Sequence, residues 1–212
     1  QLNKGYGIDE LQRAIEMIDA NALILHLNPL QEALQKNGDR NWAGLCAKIE
    51  EACEALEVSV IVKEVGFGIS ARVARQLADL GVAAIDVAGA GGTSWSAVEG
   101  ALSDDPATRR LADIYRDWGI PTAQAIAAAH LACPDTPMIG SGGVRSGVDV
   151  AKAVRLGADL VGQAGAVLRS STQGVEDVIS HFETVIDGLR LACFATGSAD
   201  LDALKRAPIE AI

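Results

Sequence analysis

Five short apolar runs, over residues 22–27, 58–65, 82–87, 137–140 and 158–161, lead into polar or glycine-rich segments, and no hairpin turn joins any of them to the next. Each intervening stretch is long enough to hold a helix, so the strands are expected to run parallel. Two architectures remain, an open doubly wound sheet and a (β/α) barrel. The strand spacing and the polar loop after every strand favour the barrel. A closed barrel needs eight strands and typically about 250 residues. A chain of 212 residues with five strands therefore reads as an α/β fold, about the last five strand–helix units of a (β/α)8 TIM barrel. Gln1 opens the chain without an initiator methionine, which adds to the expectation that residues 1–212 are the carboxyl-terminal part of one barrel domain.

Helices fill the intervals. Ile8, Leu11, Ile15 and Ile18 recur at helical spacing, with Asp9 as a candidate cap. The next helix is expected from Asp39, with Trp42, Leu45, Cys46, Ile49, Cys53 and Leu56 on one face. Ser70 is placed to cap a third helix that closes at Gly81. Residues 97–118 form a charged, proline-containing excursion followed by a helical segment. Pro121 suits the first position of an Ala-rich helix reaching about Ala132. Further helices are expected over 148–156 and from about 175, the latter broken near Gly197.

The segment His26-Leu27-Asn28-Pro29-Leu30-Gln31-Glu32 leaves the carboxyl end of the first strand. Pro29 cannot continue a ladder, so the polar groups are expected in a loop, at the end of the sheet where such folds bind ligands. A plain turn would account for Asn28 and Pro29 but not for the neighbouring His, Gln and Glu. Glu32 is a candidate hard-metal ligand, since Mg²⁺ commonly takes one or two protein carboxylates beside substrate phosphates. His26 and Gln31 are candidates for substrate hydrogen bonds or proton transfer. Lys63, at the end of the second strand, suits a negative charge on a cofactor ring or a structural ion pair with Glu64 or Asp86.

Three glycine-rich loops follow the later strands: AGAGGTSW at 88–95, GSGGVRSG at 140–147 and GQAGA at 162–166. The last two stand ahead of helix starts, where unpaired N–H groups and the helix dipole favour phosphate, and Arg145 adds a charged contact. In one such loop the glycines need only permit a tight turn; two adjacent ones favour a phosphate site. The first loop lets a ligand approach the backbone, with Thr93 as a hydroxyl partner and Trp95 as a lid or packing residue. His130 and His181 fall in helical patterns and read as surface or core.

A net charge of -10 with no cluster of Lys or Arg argues against a nucleic-acid surface. The four cysteines form no CxxC pair and read as buried, reduced thiols of a cytoplasmic protein. Neither a signal peptide nor a run long enough for a membrane span is visible.

On HLNPLQE at 26–32, VKEVGFG at 62–68, AGAGGTSW, GSGGVRSG and GQAGA, in that order and spacing, the chain resembles type 2, FMN-dependent isopentenyl-diphosphate delta-isomerase. HLNPLQE is specific to that family; the glycine-rich turns alone fit many flavin barrels. The resemblance runs from Gln1 to about Ile186 and implies interconversion of isopentenyl and dimethylallyl diphosphate with reduced FMN and Mg²⁺, NADPH serving as reductant. It implies substrate contacts at Gln31, His26 and Asn28 and Mg²⁺ at Glu32. It further implies FMN contacts at Lys63, Thr93, Gly143, Val144, Arg145, Ala164 and Gly165. The flavin itself is implied as acid and base, so no protein catalytic residue is assigned. A homo-oligomer, tetramer or octamer, is implied as well. Ala88 stands where some members carry Ser, which removes a hydroxyl contact. The family's amino-terminal Arg-Lys pair has no counterpart here, so the chain alone is expected to be inactive. The alternatives are an α-hydroxy-acid oxidase-like or inosinate-dehydrogenase-like FMN barrel, and a non-catalytic flavin-binding fragment.

Overall fold

The structure, a computed structural model, describes residues 2–210; Gln1 and the ends of the expected 1–212 domain lie outside the described residues. After a 3-10 turn at Leu2–Lys4 come α1 (Ile8–Met17), β1 (Ala22–His26), α2 (Pro29–Leu34), α3 (Leu45–Ala55), β2 (Ser59–Lys63) and α4 (Ala71–Asp79). Then follow β3 (Ala84–Asp86), α5 (Trp95–Leu102), α6 (Pro106–Ile114), α7 (Thr122–Ala132), β4 (Met138–Gly140) and α8 (Gly147–Arg155). The chain closes with β5 (Leu160–Val161), α9 (Gly165–Ser171), α10 (Val175–Ala195) and α11 (Leu201–Lys205).

All strand pairs are parallel, and the order in the sheet is the order in the sequence, β1-β2-β3-β4-β5. A doubly wound sheet reverses its order partway and carries helices on both faces. Here the strand residues Val60, Val62, Ile85 and Met138 share one buried cluster with Leu11, Ile15, Ile49, Ala52, Leu77, Ile126 and Ala129 from the helices. Successive strand residues alternate faces, and the alternate set looks out: Ile24 is 53% exposed and Leu160 65%. Helices on one face and a sequential sheet are the geometry of part of a (β/α)8 barrel, and the five strand–helix units match the expectation. Complete burial of Val62, Ile85 and Met138 contributes on the order of 2 kcal/mol each.

Several boundaries differ from expectation, each for a local reason. Residues 29–34 are helical rather than loop, because a proline that ends a strand also suits the first turn of a helix. Helix α3 starts at Leu45, not Asp39: Asn41 N–H donates to Asp39 Oδ1 (3.0 Å) and Ala43 N–H to Asn41 Oδ1 (3.2 Å), side-chain turns that compete with helix. Gly7, not Asp9, is the cap of α1, and Glu10 accepts from Gly7 N–H at 2.8 Å. Pro121 precedes α7 as its cap residue. Ser70 caps α4 as expected, accepting from Val73 N–H at 3.3 Å. Cys133 is buried, but Cys46 is exposed, contrary to the buried-thiol reading.

Candidate functional site

The ends of β1, β2 and β3 set three functional side chains in one register row. His26 pairs with Lys63, and Lys63 pairs with Asp86. Paired residues of neighbouring parallel strands point to the same face, so imidazole, ammonium and carboxylate stand side by side on the face opposite the helices. Burial holds the His26 pKa below its ordinary value and the adjacent Lys63 charge lowers it further, against an opposing pull from Glu32. Neutral imidazole is therefore favoured. The ion-pair alternative for Lys63 is not realised: its ammonium donates to Glu64 O at 2.6 Å, and it makes no salt bridge with a described carboxylate. The Glu64 carboxylate is instead spent on the VGFG turn, accepting from Val65, Gly66 and Phe67 N–H at 2.6, 2.7 and 2.5 Å.

Beyond β1, helix α2 brings Asn28, Gln31 and Glu32 together. Asn28 Nδ2 donates to Gln31 Oε1 at 3.0 Å and to Glu32 Oε1 at 3.1 Å, while Glu32 Oε2 accepts from Asp39 N–H at 2.7 Å. A member of this cluster that carried no signal in the sequence is Glu99 on α5. Its Oε1 accepts from Gln31 Nε2 (2.8 Å) and Gln35 Nε2 (2.7 Å), across 68 and 64 residues. Only the position of α5, capped by Ser94 directly after the first glycine-rich loop, connects them. Glu32 is half-buried and offers one carboxylate; no group of three His, Cys, Asp or Glu side chains suited to a metal occurs among the described residues. A cation there would draw its remaining ligands from substrate oxygens or water.

The three glycine-rich loops lie against one another. A Cβ on Gly143 would lie 2.2 Å from Gly91 O, at a φ of +73° that disfavours side chains, and one on Gly92 would lie 2.7 Å from Gly143 N. Thr122 Oγ1 bridges the loops by donating to Gly142 O at 2.6 Å, and Arg145 Nη2 donates to Gly91 O at 3.1 Å. Thr93 Oγ1 is 3.5 Å from where a Cβ on Gly165 would stand. The sequence-predicted cofactor residues Thr93, Gly143, Arg145 and Gly165 are thus brought to one place.

Backbone donors distinguish the two helix starts. The N–H groups of Arg145 and Ser146 are taken by Asp149 Oδ2, both at 3.0 Å, inside a capping box. Those of Gly143, Val144, Ala164 and Gly165 have no acceptor among the described residues. Four unpaired donors on two touching loops fit a phosphate. Arg145 accordingly offers its exposed guanidinium, not its backbone. Behind the loop, Gln163 Oε1 lies 2.7 Å from His181 Nε2, and His130 packs against Gly157; neither histidine joins the row.

Comparison with known proteins adds to this geometry. A family model described as FMN-dependent dehydrogenase matches residues 23–211. Isopentenyl-diphosphate delta-isomerase of Stutzerimonas stutzeri is 60% identical over 207 residues, covering 98% of this chain and 60% of that protein. The isomerase of Synechocystis is 50% identical over 209 residues, 99% of this chain and 60% of that protein. The chain therefore spans about 60% of the length of these curated relatives. Among solved structures, a mandelate oxidase superposes with TM-score 0.68 at 19% identity, covering 96% of this chain and 58% of that one. GMP reductase of Trypanosoma brucei superposes with TM-score 0.62 at 21% identity, covering 94% and 42%. At those identities the two structures speak for the barrel fold alone.

Proposed function

The chain belongs to the FMN-dependent dehydrogenase family, and we propose that it supplies most of the active site of an isopentenyl-diphosphate delta-isomerase. The observation that carries the reading is the pairing of two features at one end of the sheet: unpaired N–H groups of Gly143, Val144, Ala164 and Gly165, and the Asn28–Gln31–Glu32 cluster. The relatives that match nearly the whole chain at 50–60% identity support it.

In this reading the four N–H groups and the Arg145 guanidinium hold the FMN phosphate, Thr93 adds a hydroxyl, and Lys63 faces the negative charge of the reduced ring. Reduced FMN supplies the proton donor and acceptor for moving a double bond, with NADPH as the source of electrons. Gln31, fixed between Asn28 and Glu99, orients the substrate, and neutral His26 and Asn28 offer hydrogen bonds to it. Glu32 holds Mg²⁺, which neutralises the diphosphate. One proton is gained and one lost, so no net oxidation occurs. A homo-oligomer, tetramer or octamer, in the cytoplasm completes the proposal. No helix among the described residues is long and apolar enough to cross a membrane.

The test is an assay of the whole gene product with FMN, NADPH, Mg²⁺ and isopentenyl diphosphate under nitrogen, followed by product chromatography. Dimethylallyl diphosphate formed only with reduced flavin and Mg²⁺ is the expected result. In a parallel assay in air without NADPH, oxidation of lactate or mandelate with peroxide release, together with no isomerisation under nitrogen, would overturn it in favour of an α-hydroxy-acid oxidase.

A further inference from the structure

Asp86 ends β3 between Lys63 and the glycine-rich loops. Its Oδ1 accepts from Ser141 Oγ at 2.6 Å and from Ala88 N–H at 3.1 Å. Ser141 lies at the start of the 140–147 loop and Ala88 at the start of the 88–95 loop. Ala88 has a φ of +34°, rare for a residue with a side chain, so the Asp86 bond holds a strained loop entry in place. Gly89 N–H donates to Ser141 O at 2.8 Å beside it. Asp86 Oδ2 has no donor among the described residues, and the side chain shares the register row of Lys63. Burial pushes the Asp86 carboxyl up, while Ser141, Ala88 and the Lys63 charge oppose that. Such a group is retained at a cost unless its charge or its hydrogen bonds serve something.

We propose that Asp86 is a positioning residue: its carboxylate ties the two loop entries together and sets a negative charge beside Lys63, so that the loops and the ammonium meet the flavin as one unit. This rests on the FMN reading above. Two effects follow and separate cleanly. The tie governs how well the phosphate is held. The charge governs the balance between oxidised and reduced flavin, because a carboxylate near Lys63 offsets part of the attraction for the anionic reduced ring.

The experiment uses the FMN-loaded gene product and reads FMN dissociation constant and flavin midpoint potential for D86N and S141A. The amide of D86N can still accept from Ser141 and Ala88, so oxidised FMN should bind within about threefold of wild type, a fraction of one hydrogen bond. Its reduced flavin should gain about tenfold in relative affinity, about 30 mV in the two-electron potential. S141A keeps the charge and loses the tie: FMN affinity should fall about fivefold, the worth of roughly one hydrogen bond, with the potential unmoved. An unshifted potential in D86N, or unchanged affinity in S141A, overturns the proposal. Should D86N fail to fold, D86E carries the test: charge retained, potential unchanged, affinity lowered; a shifted potential there overturns it. Wild-type protein that does not bind FMN sinks the flavin reading itself, whereas wild-type binding with indifferent variants sinks only the role of Asp86.

Discussion

At the end of β1 the site is made of side chains, Asn28, Gln31, Glu32 and Glu99, joined by four side-chain hydrogen bonds with Gln35. After β3, β4 and β5 it is made of backbone, with Gly92, Gly142 and Gly143 at positions where a Cβ would strike the neighbouring loop. The first arrangement can lose one group and keep its shape. The second has no slack, because its ligand donors are the chain itself. Substitutions in the two regions should therefore fail in different ways: loss of cofactor and stability in the loops, loss of substrate or metal handling with cofactor retained in the cluster.

The largest effect is expected for Gly143→Ala. It places a Cβ against Gly91 O at positive φ, which should cost about 2–3 kcal/mol of stability and lower FMN affinity at least about 100-fold by parting the loops. A thermal melt and an FMN titration check it; a variant as stable and as well loaded as wild type would remove the rigidity from one half of the comparison. Glu32→Gln should come next. Isomerase activity at fixed Mg²⁺ should drop roughly 100-fold, the scale of losing a charged metal ligand, with FMN still bound; an unchanged Mg²⁺ requirement would take the metal away from Glu32.

Glu99→Gln is milder, since its amide oxygen can still accept both bonds and only the charge is lost. The charged acceptor is worth about 1.5–3 kcal/mol at most, so KM should rise about tenfold with FMN affinity unaltered. Steady-state kinetics beside a flavin titration separates this from a loss of loading. The smallest effect concerns pH. The folded-state pKa of His26 lies below its ordinary value, so the unfolded chain takes up the proton first. Its contribution is intact above about pH 6.5 and is lost as pH falls towards the folded value. His26→Gln should flatten the acid limb of a pH series of melts, and an unaltered limb would mean the His26 environment is not what the row implies.

The same contrast explains what was legible in the sequence. Backbone function leaves a mark in composition, because only glycine fits; GSGGVRSG and GQAGA pointed to a phosphate site, and the structure brings their residues together. Strands showed equally well through their β-branched, apolar runs, and β1 to β5 fall where those runs lie. Side-chain clusters built across distant segments leave no such mark. Glu99 looks like any exposed helical glutamate until α5 carries it to Gln31. Asp86 reads as a strand-end acid until β4 brings Ser141 to it. The helix over 29–34 was hidden by a proline with two valid readings, strand terminator and helix opener. The start of α3 was hidden by Asp39 and Asn41, whose side chains cap turns as readily as helices.

Riboflavin against FMN is the comparison that tests the central claim most directly, since the two differ only by the phosphate that the four unpaired N–H groups are assigned to hold. Titrated into the gene product and followed by flavin fluorescence, FMN should bind at least about 100-fold more tightly, the scale of two or so charge-assisted hydrogen bonds. Equal affinities would mean that the loops after β4 and β5 do not hold a phosphate, and the flavin assignment built on them would fall.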